Sequence, residues 1–241
     1  MKIPLLYVPG TKIRKVLHIQ KKYTYSRPII PLGSDCHPAY TLQKLNLRES
    51  SLPFDWLNTE SIRGLLFVRQ NVEDKFEHFM ANMKANKFGH LVSEKYPYSE
   101  FIHEKNIDHN AGDRDRFKRR ITRFLGFLEK DVSFLYNVTG ASFTTDKAVD
   151  FFYGSVVDFL SVVKKNDRLH IYIRYDENCR ENEIQCNRLI EKIGSLDQVV
   201  IARYLRSKSQ YGTWGNENKY LALYDELGII LKQTFPRIFI K

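Results

Sequence analysis

Apolar positions in the second half of the chain switch repeatedly between a helical period and a strand period. Between Arg114 and Lys130, Phe117, Ile121, Phe124, Leu125 and Leu128 follow i, i+4, i+7, i+8, i+11, which predicts an amphipathic helix with basic residues on its other faces. Val132–Val138 is a compact apolar run and predicts a strand. Thr145–Lys164 returns to the helical period, with Val149, Phe152, Tyr153, Val156, Leu160 and Val163 inward. Leu169, Ile171 and Ile173 then alternate along a strand ending at Tyr175. A helix over Glu181–Ile193 closes at Gly194, Gln198–Leu205 reads as a strand, and Lys219–Phe235 as a last helix on Leu221, Leu223, Leu227 and Leu231. Strands separated by helices predict crossover connections, hence an α/β fold with a mainly parallel open sheet flanked by helices.

The first half is less regular. Residues 1–27 read as an extended, basic lead-in with two strands, Leu5–Val8 and Val16–Ile19, because Pro4, Pro9 and Gly10 break any helix. Ile29–Leu32 predicts a short buried strand, and Gly33, Ser34 and Asp35 a tight turn. A helix opens at Cys36 with Pro38 in its first turn and Ala39, Leu42 and Leu45 on its buried face. Leu52, Phe54 and Trp56 pin an irregular loop. Helices follow over Thr59–Arg69 and Val72–Met83, and no period persists between Lys84 and Asp113, a length that points to a functional segment. With no repeat, low-complexity tract or linker, the expectation is a single domain over 1–241, made of the lead-in and an α/β core from residue 28.

Composition narrows the function classes. No run approaches 18 apolar residues, so no membrane span is expected, and the N-terminus is a poor signal peptide. Cys36, Cys179 and Cys186 form neither a disulfide framework nor a metal spacing, which favours a cytoplasmic protein without a bound metal. Asn137-Val138-Thr139 matches a glycosylation acceptor but has no export signal beside it. The net charge of +10 is uneven: residues 1–34 hold seven Lys and Arg and no acid, and Arg114–Arg123 is a second cluster. That excess suits an anionic ligand, for which Arg48, Arg119, Arg120 and Arg123 are candidates. Nucleic acid is the less favoured partner, since charge alone supports it and no recognition module is present.

The chemistry concentrates at the strand–turn–helix corner around Cys36. Parallel sheets bind ligands beyond the carboxyl ends of their strands. A cysteine at a helix N-terminus there faces the positive end of the helix dipole, which favours thiolate; the competing reading is a buried cysteine that begins a helix. A thiol nucleophile needs a base, and His37, His78, His90, His103, His109 and His170 are available. His109, flanked by Asp108 and Asn110 in the irregular segment, is the preferred partner, with His103 the alternative. The amides of Asp35, Cys36 or His37, with the Ser34 side chain, would hold an oxyanion beside Gly33. Asp55 is either a supporting carboxylate or a local cap. No phosphate loop occurs.

Pro31-Leu-Gly-Ser-Asp-Cys-His-Pro-Ala-Tyr-Thr-Leu, followed by Leu47-Arg-Glu-Ser-Ser-Leu-Pro-Phe-Asp-Trp-Leu, resembles the signature of an uncharacterised bacterial and viral family described as papain-like cysteine peptidases. The matching positions are Gly33, Cys36, Ala39, Leu42, Leu47, Arg48, Ser51, Pro53, Phe54, Asp55 and Trp56, and His109-Asn110 ahead of Arg119-Arg120 resembles the family's histidine. The resemblance implies a Cys36–His109 dyad and, as an alternative fold, a modified papain-like α+β arrangement. It also brings in related capsule-biosynthesis acetyltransferases that use coenzyme A. The leading expectation is therefore a thiol-dependent enzyme that hydrolyses a peptide or ester, with no cofactor required. The first alternative is transfer of an acetyl group from acetyl-coenzyme A to a polysaccharide or glycan. The second, from a different class, is a non-catalytic binding protein for an anionic glycan or nucleotide.

Overall fold

The computed structural model describes residues 2–7, 9–10, 14–177 and 182–240. In chain order the elements are β1 (Lys2–Tyr7), β2 (Arg14–Thr24), β3 (Ile29–Gly33), α1 (His37–Lys44), β4 (Asn58–Thr59), α2 (Gly64–Glu73), β5 (Met83–Ala85), β6 (Leu91–Ser93), β7 (Tyr96–Phe101), α3 (Ala111–Leu128), β8 (Ser133–Thr139), α4 (Asp146–Leu160), β9 (Arg168–Tyr175), α5 (Glu183–Gly194), β10 (Val199–Leu205), α6 (Lys208–Tyr211), α7 (Tyr220–Glu226) and β11 (Lys232–Ile240).

A four-stranded parallel sheet in the order β10-β9-β8-β3 carries the α/β character that the apolar periods predict. Its central strands are buried on both faces, so alternate residues enter two separate cores. Phe134, Tyr136, Val138, Leu169, Ile171 and Ile173 join one core with the inward faces of α2, α4 and α5. Leu135 and Tyr172 join the other, with Leu42 and Leu45 at α1 and Tyr220, Leu223 and Tyr224 of α7. The same alternation buries His170, whose Nδ1 donates to the Leu227 carbonyl (2.8 Å) and whose Nε2 accepts from Ser133 Oγ (3.2 Å). Burial holds its pKa down to about 4.

Two antiparallel sheets accompany the parallel one and correct the mainly parallel picture. The first, β4-β7-β6-β5, falls largely where no period persists. Its strands of two to six residues are too short to establish a period of two. Most of the helix expected over Val72–Met83 is turns instead, since α2 ends at Glu73 and positive φ at Lys75, Phe76 and Asn82 breaks any continuation. The second sheet is β1-β2-β11. Both lead-in strands exist, although Val8 lies outside the described residues. The expected last helix stops early: Gly228, at φ 70°, ends α7, and the chain returns as β11 against β2.

Candidate active site

The corner forms where β3 ends at the carboxyl edge of the parallel sheet. Gly33 sits at φ 77°, and a Cβ there would approach the Phe54 carbonyl oxygen to 3.4 Å, so glycine suits both the turn and the loop stacked on it. Asn137, at the end of neighbouring β8, fixes the turn from the side. Its Oδ1 accepts from the Ser34 amide (2.8 Å), and its Nδ2 donates to Asp35 Oδ1 (3.0 Å). Asn137 is buried, so the apparent glycosylation pattern is a structural strand end. Asp35 Oδ1 also accepts from the His37 amide (2.9 Å), and Oδ2 pairs with Arg174 Nη1 of β9 (2.6 Å). Burial alone would raise the Asp35 carboxyl, but Arg174 and the His37 amide outweigh it and hold the carboxyl below its ordinary value.

Cys36 is the residue before α1, and its buried side chain lies against His103: Sγ is 3.6 Å from Nε2. His103 follows β7 on a turn anchored by two buried side chains, Phe101 before it and Ile107 after it. The structure thus brings the alternative histidine, not His109, to the thiol. The His109 side chain is 71% exposed and its Nδ1 pairs with Asp108 (2.7 Å). His109 belongs to the approach to α3, whose N-terminus is capped by Asn110. His90 and His37 have other partners. His90 pairs with Glu100, and His37 is buried with Nε2 donating to the Trp214 carbonyl (3.1 Å), which leaves Nδ1 to accept from the Tyr172 hydroxyl (2.6 Å). Burial keeps His37 neutral, with its pKa held down to about 4.

The loop after α1 holds the imidazole in place. Arg48 donates to Ser51 Oγ (3.0 Å) and through Nε and Nη2 to Asp55 Oδ2, which also accepts from the Leu52 amide (2.9 Å). This latch presents the two aromatics beside Asp55 in opposite directions. Phe54 packs with Phe67, Phe76, Phe79 and Phe124 at ring distances of 5.3 to 5.9 Å. Trp56 lies between the Arg48 guanidinium (5.2 Å) and the His103 ring, which it meets edge-on at 6.2 Å. Asp55 is therefore a latch carboxylate one residue from the histidine's neighbour. Burial pushes its pKa up despite Arg48, and its Oδ1 is buried without a partner among the described residues.

The electrostatics depart from the expected helix-dipole thiolate. Burial, then the neighbouring Asp35 charge, with smaller contributions from Glu104 and Asp55, pushes the Cys36 thiol up to about 12. The resting group is a thiol beside an imidazole. Of the corner amides, that of His37 is taken by Asp35 and that of Cys36 bonds its own sulfur, whereas that of Asp35 has no hydrogen bond among the described residues. Beside the corner, Ser34, Asp35, Asn58, Glu60, Ser61 and Arg174 line much of a polar cleft of about 370 Å³. The proposed anion-binding arginines are mostly engaged: Arg48 with Asp55, Arg120 with Glu104 (3.4 Å), and Arg123 with the Ser51 carbonyl, leaving Arg119 exposed on α3. Asn178 and Cys179 lie outside the described residues.

With this geometry in view, the comparisons are specific. The family model described as "Putative papain-like cysteine peptidase" matches residues 27–192, which span the corner, the latch, His103 and most of the parallel sheet. The chain belongs to this family. The uncharacterized protein R408 of Acanthamoeba polyphaga mimivirus is 46% identical over 50 residues, a match covering 21% of this chain and 22% of the viral protein. The chain thus aligns with about a fifth of that relative's length. No solved structure matches.

Sequence reasoning missed Arg174 as part of the site. Its signal was positional: like Asn137, it is a polar residue near the carboxyl end of an otherwise apolar strand, where a parallel sheet places its ligand-facing groups.

Proposed function

We propose that the chain is a cysteine peptidase-type hydrolase in which Cys36 is the nucleophile and His103 the general base and acid. The observation that carries this reading is the 3.6 Å approach of Cys36 Sγ to His103 Nε2 at the carboxyl edge of the sheet. Because the thiol rests protonated, the proton passes to Nε2 as sulfur attacks the substrate carbonyl. The S–C bond forms while the carbonyl π pair moves to oxygen, and the free amide of Asp35 is the donor available to that oxygen. Collapse expels the amine or alcohol, which takes the proton back from His103 and leaves a thioester on Cys36. Water, deprotonated by His103, then attacks the thioester; the C–S bond breaks, the acid is released, and the Cys36 sulfur takes the proton back from His103. Arg174 neutralises Asp35, so the corner does not confront the developing oxyanion with a bare carboxylate.

Hydrolysis is preferred to acetyl transfer from acetyl-coenzyme A because Arg48, Arg120 and Arg123 have internal partners and are not free for the donor's phosphates. The test is hydrolysis of a mixed peptide and ester library by the full chain. Activity that survives His109→Ala and disappears in both Cys36→Ala and His103→Ala supports the dyad. Activity that survives Cys36→Ala would exclude it, and acetylation of a glycan from acetyl-coenzyme A without any hydrolysis would assign the site to transfer.

A further inference from the structure

The charge of this chain is concentrated in one place. Residues 1–24 and 228–241 hold nine of the 38 Lys and Arg and none of the 28 Asp and Glu, so the remainder carries 29 basic against 28 acidic residues. These two segments contribute all three strands of the β1-β2-β11 sheet, and most of that sheet lies outside the residues matched by the family model. Among the described residues that sheet carries Lys2, Arg14, Lys15, Lys21, Lys22, Lys232 and Arg237 and no acid.

Its two faces differ. Residues paired across antiparallel strands share a face, so Ile3 (opposite Leu17), Ile240 (also opposite Leu17) and Ile238 (opposite Ile19) lie together. Leu6, opposite Lys15, extends the same face. Strand alternation places Lys15 at one end of this apolar block and Lys21 at the other. Tyr23, further along that face, is buried in the core beside α1 and fixes the base of the sheet. The outer block is open: Ile238 is 60% and Ile240 58% exposed, with Leu6 at 45%. The opposite face carries Phe239 stacked on His18 and covered by Arg237.

We propose that this sheet docks the protein on an anionic lipid surface, its isoleucine–leucine face entering the interfacial layer and Lys15 and Lys21, at the two ends of that face, meeting the acidic headgroups, while Lys2, Lys22, Lys232 and Arg237 lie on the opposite face. The charge decides the occupant. A second copy would set Lys15 and Lys21 against the same unneutralised lysines, with no acid in either sheet to pair them. A nucleic acid would use the lysines and leave the apolar block in water. An acidic bilayer satisfies both, since apolar area and basic residues add in interfacial binding, and each lysine near an acidic surface strengthens it by roughly fivefold.

The test is sedimentation of the full chain with vesicles of phosphatidylcholine alone or of phosphatidylcholine with phosphatidylserine. Two variants are compared, Ile238→Ser/Ile240→Ser and Lys15→Glu/Lys21→Glu, each first matched to the parent in melting temperature. The proposal expects binding only to the acidic vesicles, weakened at least about tenfold by the charge reversal and at least about tenfold by the serine pair, and screened by salt. No preference for acidic vesicles would overturn it. So would a serine pair that binds as the parent does, which would mean charge adsorption without docking. Salt-sensitive binding to a DNA duplex, weakened by the lysine reversal but indifferent to the serine pair and not matched by the acidic vesicles, would assign the sheet to nucleic acid instead.

Discussion

At the scale of single residues, the site is a balance between a buried thiol and the charges around it. Cys36 is pushed up to about 12 by burial and by Asp35, and Asp35 is itself tolerated only because Arg174 faces it. Replacing Arg174 with Met should leave a buried carboxylate without its partner and cost about 3–5 kcal/mol of stability, whereas adding Asp35→Asn should recover part of that loss. Equal melting curves for the single and double variants would show that the pair is not coupled. The raised thiol pKa also has a linkage consequence. The unfolded thiol ionises near its ordinary value of 9.0, so the stabilisation is complete below that pH and is lost as pH rises towards about 12. Denaturant titrations should show a decline over this alkaline window that is shallower in Cys36→Ala. An unchanged slope would mean the thiol is not held protonated by the fold.

Elements explain why the histidine is where it is. The stretch from Leu47 to Leu57 is legible in sequence as an aromatic-pinned loop, but its use is not. Only the fold shows that Arg48 and Asp55 lock it so that Phe54 anchors inward and Trp56 bears on His103. Trp56→Ala should therefore leave most of the stability in place while slowing reaction at Cys36, because the imidazole loses its neighbouring wall. Phe54→Ala should cost about 3–5 kcal/mol through the cavity left in the aromatic core. Reversal of these two outcomes, read by thermal melting and by alkylation rate, would contradict the division of labour. Elements with a long period were readable: α3, β8, α4, β9 and β10 fall within a few residues of expectation. The failures share a cause, which is that local pattern competes with distant pairing. His103 follows a six-residue strand whose partners have only two and three residues, and β11 pairs with a strand some 200 residues earlier, a contact no local period reports. His109 looked better in sequence because of its polar flanks, yet Asp108 and Asn110 serve the surface and the start of α3.

For the whole molecule, the parallel sheet is the rigid part and the terminal sheet the exposed one. β8 and β9 are buried along nearly their full length, whereas β11 is exposed along most of its own. Hydrogen exchange should accordingly be slowest in β8 and β9 and fastest in β1, β2 and β11; uniform protection would mean that the terminal sheet is as well supported as the core. This arrangement places a rigid edge under the corner and joins the charged sheet to the second core at its base, through Tyr23. Among the described residues no helix is long and apolar enough to cross a membrane.

The pairing of Cys36 with His103 is the claim on which the functional reading depends, and it can be measured without knowing the substrate. The rate of Cys36 carbamidomethylation at neutral pH, followed by peptide mass spectrometry, should fall at least about tenfold in His103→Ala, because the base that takes the thiol proton is gone. It should be unchanged in His109→Ala. A rate that drops with His109 and ignores His103 would contradict the account.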